Sequence, residues 1–384
     1  MMRTSWQYRL IAAAGVCVWA LALPSAARAQ GSLGTLGLGY PLGGQSARSL
    51  GTGASLADLD PQTPINPAAI VLNSRAQVYG QYEPEFRTVT IAGVGTKTTT
   101  SRFPLFMLTG RQGRATFAIS FSSFMDRTWV NTYADTQTVG SERLASTVLT
   151  QSIGGISEGR AAMSWSFSDN IHVGFGLHVY PGDNRVSVGR IFADSARAGN
   201  FQNTNGYSFT GTAISFGTLL VPGKHFVVAS DLRLGGSLTM RLGDSLTVGK
   251  GSIPLRYGVS ASYDGIPGAL LIARFGGEKW SDLRGLGSST LGLKDGTDMS
   301  VGTEIVGPRI SGAPVLLRAG YRSRGLPFTY GSSAVTETSS SGGVGIPLIG
   351  GRAVFDVGVV HASRTAVGIA EKSWLISVGF GIRP

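Results

Sequence analysis

Cysteine is nearly missing from this chain. The single one, Cys17, lies in an N-terminal stretch that reads as a cleaved signal, so the mature chain is expected to carry none. That excludes disulfides, thiol catalysis and thiolate metal sites. Histidine is scarce, with four in 384 residues. His172 and His178 stand roughly 20 Å apart on one strand at ~3.3 Å per residue, too far to share an ion, and no acidic cluster has ligand spacing. Charged residues make up 14%, against ~25% in soluble chains. After residue 30 no apolar run approaches the ~20 residues of a spanning helix. Basic clusters with interleaved aromatics are absent, so no nucleic-acid partner is expected. No G-x-S-x-G elbow occurs, and pairs such as Gly174 and Gly176 sit inside strands, not at a strand-to-helix turn. No catalytic residue, metal or cofactor is expected, and the chain reads as a non-enzyme.

Glycine, by contrast, stands at 56 of 384, about twice the ~7% average. It falls within a strict alternation. Ile171, Val173, Phe175, Leu177 and Val179 alternate with His172, Gly174, Gly176, His178 and Tyr180; Trp374, Ile376, Val378, Phe380 and Ile382 do the same near the end of the chain. A period of two puts these sets on opposite faces of a sheet. A soluble sandwich would bury the apolar face as core; an outer-membrane barrel would turn it to lipid.

The N-terminus favours the barrel. Arg3 and Arg9 precede an apolar run from Leu10 to Leu23, and Ala27-Arg28-Ala29 makes an A-x-A cleavage site, so residues 1–29 read as a signal peptide. The alternative, a membrane anchor, needs ~20 apolar residues rather than fourteen. Formal charge is +11, of which Arg3, Arg9 and Arg28 carry three. The remaining excess fits solubility or contact with anionic lipid headgroups.

About fourteen strands are expected: 76–92, 98–110, 114–124, 157–167, 170–180, 207–220, 225–239, 252–264, 268–279, 297–307, 314–325, 338–346, 352–363 and 371–382. Every second connection is tight and rich in turn residues, and those between run longer, chiefly 125–156, 181–206 and 280–296. Short periplasmic turns and longer outer loops are the habit of bacterial barrels. Aromatics near strand ends, among them Tyr79, Tyr82, Phe103, Phe106, Phe124, Trp165, Tyr180, Tyr257, Tyr321, Trp280 and Trp374, suggest interface girdles. The fold class is therefore all-β, a transmembrane antiparallel barrel over 76–384. Its localisation would be the bacterial cell outer membrane, with lipid, lipopolysaccharide and the barrel-assembly machinery as partners.

Residues 30–75 break the pattern. Gly31 to Gly44 is glycine-rich, Ser46 to Leu59 can form a short helix, and Asp60 to Pro67 is braced by proline. So short a segment has no core of its own and is either a tail or a lumenal plug. The run SARSLGTGASLAD followed by INPAAI, Ile65 to Ile70, resembles the N-terminal hatch of FadL-like transporters of hydrophobic compounds and their PorV-like relatives. Asn66, Pro67 and Ala68 occupy that family's Asn-Pro-Ala element before the first strand. The resemblance implies fourteen strands around a hatch. It also implies passive uptake of hydrophobic or amphipathic small molecules, long-chain fatty-acid-like, released as the hatch shifts about Asn66 to Ala68. In that family a kink in the third strand opens toward lipid; here Arg114 to Phe124 holds no Gly or Pro, which speaks against a bend.

If the greasy parity faces lipid, the other parity fills the lumen with His172, His178, Asp231, Arg233, Arg256, Arg274, Glu278, Glu304, Arg318, Arg322, Asp356 and Arg383. The plainer reading is that these pair across the lumen and anchor the hatch. The functional one is that Arg233, Arg256 and Arg318 steer an anionic solute or a fatty-acid carboxylate. Phe121, Phe124, Met125, Trp129 and Tyr133 are candidates for an apolar collecting groove at the outer mouth. The rivals to uptake are a PorV-like scaffold for exported proteins, a structural barrel with a sealed pore, and a polar channel.

Overall fold

The computed structural model describes residues 38–383 apart from 92–93, 195–196, 244, 287–291, 311–312, 331–332 and 367–368; the expected signal peptide and the first residues of the expected hatch lie outside them. Among the described residues fourteen strands form the wall. They are β1 (Gln77–Ile91), β2 (Val94–Gln112), β3 (Ala115–Asp126), β4 (Glu142–Ser168), β5 (Ile171–Phe192), β6 (Phe201–Leu220) and β7 (Phe226–Leu242). There follow β8 (Arg256–Ile266), β9 (Ala269–Glu278), β10 (Gly296–Ile310), β11 (Ala313–Tyr330), β12 (Ser333–Leu348), β13 (Ala353–Ala366) and β14 (Ile369–Ile382). Each pairs antiparallel with the next, and β14 pairs back onto β1, from Ile369↔Ile91 to Ile382↔Val78, so the ring closes. Closure removes the free edges that lipid could not solvate.

Parity sorts as expected. Ile171, Phe175, Leu177 and Val179 stand exposed on β5 while His172 and His178 are buried; on β7, Leu232 and Leu234 face out and Asp231 and Arg233 face in. The barrel thus wears its oily side outward. Four of the expected girdle aromatics do not belong to that side: Tyr79, Phe124, Tyr180 and Trp280 are all buried in the interior, whereas Tyr82 stays on the outward parity, covered by Phe103 at 5.0 Å. Tyr79 and Tyr180 fall on the inward parity of their strands, and the Tyr79 hydroxyl accepts from Ala47 N at 3.1 Å.

Two expectations about the connections change. The segment 125–156 is not a loop. Trp129–Val139 and the first part of β4 form a long ribbon, paired from Trp129↔Ser152 to Val139↔Glu142. β5 and β6 also run well past the expected strands, and Leu246–Ser252 pairs onto the end of β7. Beyond the lipid both faces are wet, so the apolar parity fades while the β-branched threonines and valines keep the chain extended. Long connections still gather at one end of the barrel, although the links β1–β2, β11–β12 and β13–β14 at that end are tight.

The third strand does bend. The β2–β3 ladder stops at Leu105↔Ser122. Beyond it β3 continues along β4 with a register shift between Ser123 and Met125. This bulge places Phe124 between two paired residues and turns both Phe124 and Met125 inward. A bulge bends a strand by one extra residue and needs neither glycine nor proline, which is why the expectation of an unbent strand fails. On the edge so freed, Tyr40–Pro41 pairs with Met125 and Asp126.

Residues 38–72 lie inside the ring. Ser46 caps α1 (Ala47–Gly51), its Oγ accepting from Ser49 N at 3.0 Å. The helix is shorter than expected because Gly51 and Gly53 end it, Gly53 at φ 68°. Glycines of the inner parity make room for it. A Cβ at Gly302 or Gly320 would overlap the Thr52 backbone, and one at Gly174 or Gly217 would overlap the Asn66–Ala68 turn. We expect Gly320→Val to leave the ring intact, with its heat-modifiable band, while loosening α1. Trypsin should then cut after Arg48 in folded protein, and protection equal to wild type would refute this contact.

Candidate functional site

Charge inside the ring is organised around the inner segment. The Tyr40 ring sits in an arginine cage, with Arg364, Arg87 and Arg324 at 4.3, 4.9 and 5.3 Å from its centroid. Its hydroxyl donates to Glu337 Oε2 at 2.6 Å and accepts from Arg364 Nη2 at 2.7 Å and from Arg324. Burial pushes the Tyr40 hydroxyl above its ordinary pKa, against the pull of Arg324 and Arg364, so it stays a donor. Glu85 binds Arg87 at 2.7 Å and Arg102 at 2.5 Å, and Arg364 also reaches Glu337 and Glu371. Lower down, Arg48 on α1 forks onto Glu304, at 2.8 and 3.0 Å. Asn66 ties the segment to β6: its Nδ2 donates to Thr218 O at 3.1 Å and to Asp58 O at 2.9 Å, while its Oδ1 accepts from Ala68 N at 2.8 Å. Pro67 packs on Gly174, and Ala68 O accepts from Ser164 Oγ at 3.2 Å. Asn66, Pro67 and Ala68 are thus a joint between the segment and the wall.

The bend of β3 leaves a side cavity of about 650 Å³ between β2, β3, β4 and β5. Phe121, Met125, Ile156 and Leu42 supply its apolar lining; Arg102, Asp126 and Asp183 supply polar lining. Arg102 Nη1 bonds Asp126 Oδ2 at 3.3 Å across the seam where the β2–β3 ladder has stopped. Just inside lies an apolar cluster that includes Phe124, Met125, Ile156, Tyr180 and Trp280. Phe124 meets Tyr180 edge-on at 5.0 Å and stacks on Trp280 at 5.9 Å.

The five candidate groove residues separate. Phe124 and Met125 meet in this cluster. Phe121 stands on the lipid side of β3, 49% exposed, at the rim of the cavity. Trp129 and Tyr133 sit on the ribbon, Tyr133 50% exposed, and line neither feature. The three candidate arginines all point inward and are engaged. Arg318 binds Glu304 and Asp356, both at 2.6 Å. Arg256 binds Asp231 at 3.1 Å and Ile65 O at 3.0 Å. Arg233 reaches Glu278 at 3.4 Å and lies over the Phe124 ring at 5.4 Å.

Sequence reasoning missed Arg160. It lies on β4, between Ser120 of β3 and His178 of β5, and is 2% exposed. Among the described residues its Nε, Nη1 and Nη2 meet no acceptor. The Ser120 Oγ and Tyr180 Oη atoms nearby are likewise without a hydrogen-bond partner among the described residues. Neighbouring His178 is spoken for, by Glu158 at 2.5 Å and Ser215 at 2.7 Å. A buried guanidinium with three idle donors is costly unless an anion joins it. The signal was parity: Arg160 shares a face with Ala162 and Ser164, opposite Met163 and Trp165.

No family model matches the chain, and no curated protein does. Solved structures do match. A FadL homologue of Pseudomonas aeruginosa superposes with a TM-score of 0.62 at 10% identity, over 90% of this chain and 99% of that one. The toluene transporter TodX of P. putida gives 0.58 at 11% identity, over 89% and 99%. The monoaromatic hydrocarbon channel CymD gives 0.54 at 11%, over 92% and 99%. The chain has the FadL-like fold over nearly its whole length.

Replacing Arg318 tests the ionic lattice. Arg318→Met strands the Asp356 carboxylate in the interior, and removing one partner of a buried pair costs about 3–5 kcal/mol. The denaturation midpoint in detergent micelles should fall accordingly; an unchanged midpoint would mean the lattice carries no stability.

Proposed function

We propose that this barrel is a passive outer-membrane conduit for amphipathic acids, molecules with an apolar tail and one anionic head. The observation that carries this reading is Arg160, whose three guanidinium nitrogens meet no acceptor among the described residues. A carboxylate accepts two parallel bonds from a guanidinium. The tail has a place close by. Ile156 lines the 650 Å³ side cavity and belongs to the inner apolar cluster, and Arg160 follows four residues on along the same face of β4, roughly 13 Å at ~3.3 Å per residue. That volume lies within the ~300–1,000 Å³ of small-molecule sites. The matched structures, described as a toluene transporter and a hydrocarbon channel, support apolar cargo; the idle arginine adds the acid.

In this reading the inner segment is a movable hatch, hinged about Asn66 to Ala68, and the seam guarded by Arg102 and Asp126 is where cargo meets the bilayer. A scaffold or sealed barrel is the second reading, favoured by the dense ionic anchoring of Tyr40. Affinity separates them. Purified protein in a non-ionic detergent should bind dodecanoic acid and not merely dodecanol. Arg160→Met should weaken the acid by about 2 kcal/mol, roughly thirtyfold, as for a lost charge-assisted bond, and leave the alcohol unchanged. Equal binding of acid and alcohol by wild type would remove Arg160 from the site, and binding of neither would favour the scaffold.

A further inference from the structure

Two carboxyl groups meet where the inner segment crosses the wall. Asp58 belongs to the segment and Asp231 to β7, and both are buried, at 0% and 4% exposure. They converge over Gly258 of β8, whose missing side chain leaves the gap: a Cβ there would lie 2.5 Å from Asp231 Oδ1 and 3.0 Å from Asp58 Oδ2. One oxygen of each is satisfied. Asp58 Oδ2 accepts from Ser260 Oγ at 2.7 Å and Arg274 Nε at 3.1 Å; Asp231 Oδ2 accepts from Arg256 Nε at 3.1 Å. The remaining Asp58 Oδ1 and Asp231 Oδ1 are buried and receive no donor among the described residues. An ionised carboxylate only accepts, so two facing carboxylates can satisfy each other only when one keeps its proton.

We propose that Asp58 and Asp231 share a single proton, and that this proton helps hold the inner segment against the wall, making its docking responsive to pH. The surroundings allow it. Arg256 is also bound to Ile65 O, Arg274 also serves Asp298 at 2.8 Å, and Arg233, which with Arg160 also acts on Asp231, reaches Glu278 at 3.4 Å, so the cations around the pair are divided among several acceptors. Ser260 adds a donor to Asp58 only. Burial, followed by the opposing pull of Arg274 and then the push of Asp231, leaves the Asp58 carboxyl raised to about 7.

The sign follows. When the segment undocks, Asp58 meets water and returns to ~3.9. Its docked pKa is raised, so this contribution to docking is complete below ~4, declines as pH climbs toward 7, and is gone above. Opening should rise up to tenfold per pH unit across that window.

Hydrogen exchange reads docking directly and does not depend on any cargo, so it stands or falls apart from the uptake proposal. Whole protein in detergent would be exchanged at pH 5 and pH 7.5, with rates corrected for intrinsic exchange. Protection of peptides covering residues 46–66 should drop at least tenfold between the two, while the wall peptides hold. Asp58→Asn supplies an amide donor that needs no proton, and its protection should be the same at both pH values; Asp231→Asn should behave alike. Equal wild-type protection at pH 5 and 7.5 overturns the proposal, and so does a pH-dependent drop that persists in both Asn variants.

Discussion

Everything polar in this barrel has to be settled inside it. A strand facing lipid can place no charge outward at mid-depth without a cost of ~2–4 kcal/mol, so charges such as Asp231, Arg233, Arg256, Glu304 and Arg318 turn inward, while the exposed ones, Arg111, Arg241 and Arg309 among them, lie near strand ends. The inward charges would be expensive if left alone. The inner segment is part of the solution. Arg48 completes Glu304, Asp58 completes Arg274, and the Ile65 carbonyl completes Arg256. The segment is short and has no core, and it is ordered because the wall supplies the partners it lacks.

Fit depends on what the wall omits. Gly302 and Gly320 clear the Thr52 backbone, and Gly174 and Gly217 clear the Asn66 turn. The high glycine content is thus more than the flexibility of loops: part of it is the negative image of residues 46–68 cut into the inner face. A barrel with alanine at these places would keep its hydrogen-bond ladder and lose its occupant. The same economy brings Asp58 and Asp231 together over Gly258.

The ring was legible because lipid enforces one rule on every crossing strand. Alternation at Ile171–Val179 named the two faces, and the inward set, with Arg233, Arg256 and Arg318, followed from it. Legibility ended where that rule stops applying. On the ribbon Trp129–Val139 both faces meet water, so no parity survives to mark a strand. The bulge at Phe124 left no glycine or proline as a sign, because a bulge is a disagreement in count between two strands and neither strand shows it alone. Arg160 was readable from the parity of Ala162 and Ser164, but only after β4 had been given both faces. Which arginines are paired could not be read at all: pairing joins residues such as Arg318 and Asp356, brought opposite only when the ring closes.

The bend of β3 and the anchoring of the inner segment are one structural event. Once β2 stops pairing at Leu105, the edge of β3 would be left with open hydrogen-bonding groups, and Tyr40–Pro41 takes them. Leu42 N donates to Phe124 O at 3.2 Å along the same edge. Tyr40 is at the same time the hub of the cage formed by Arg87, Arg324 and Arg364. Arg102 belongs to both systems, bonding Glu85 within the cage and Asp126 across the seam. Any movement that withdraws Tyr40 must therefore expose the β3 edge and unsettle the Arg102 bridge together. The strap Tyr40–Pro41 runs into Leu42, which lines the side cavity, and it is held both by backbone pairing to β3 and by the arginine cage, so a small shift in charge at the cage acts on the strap and the seam at once.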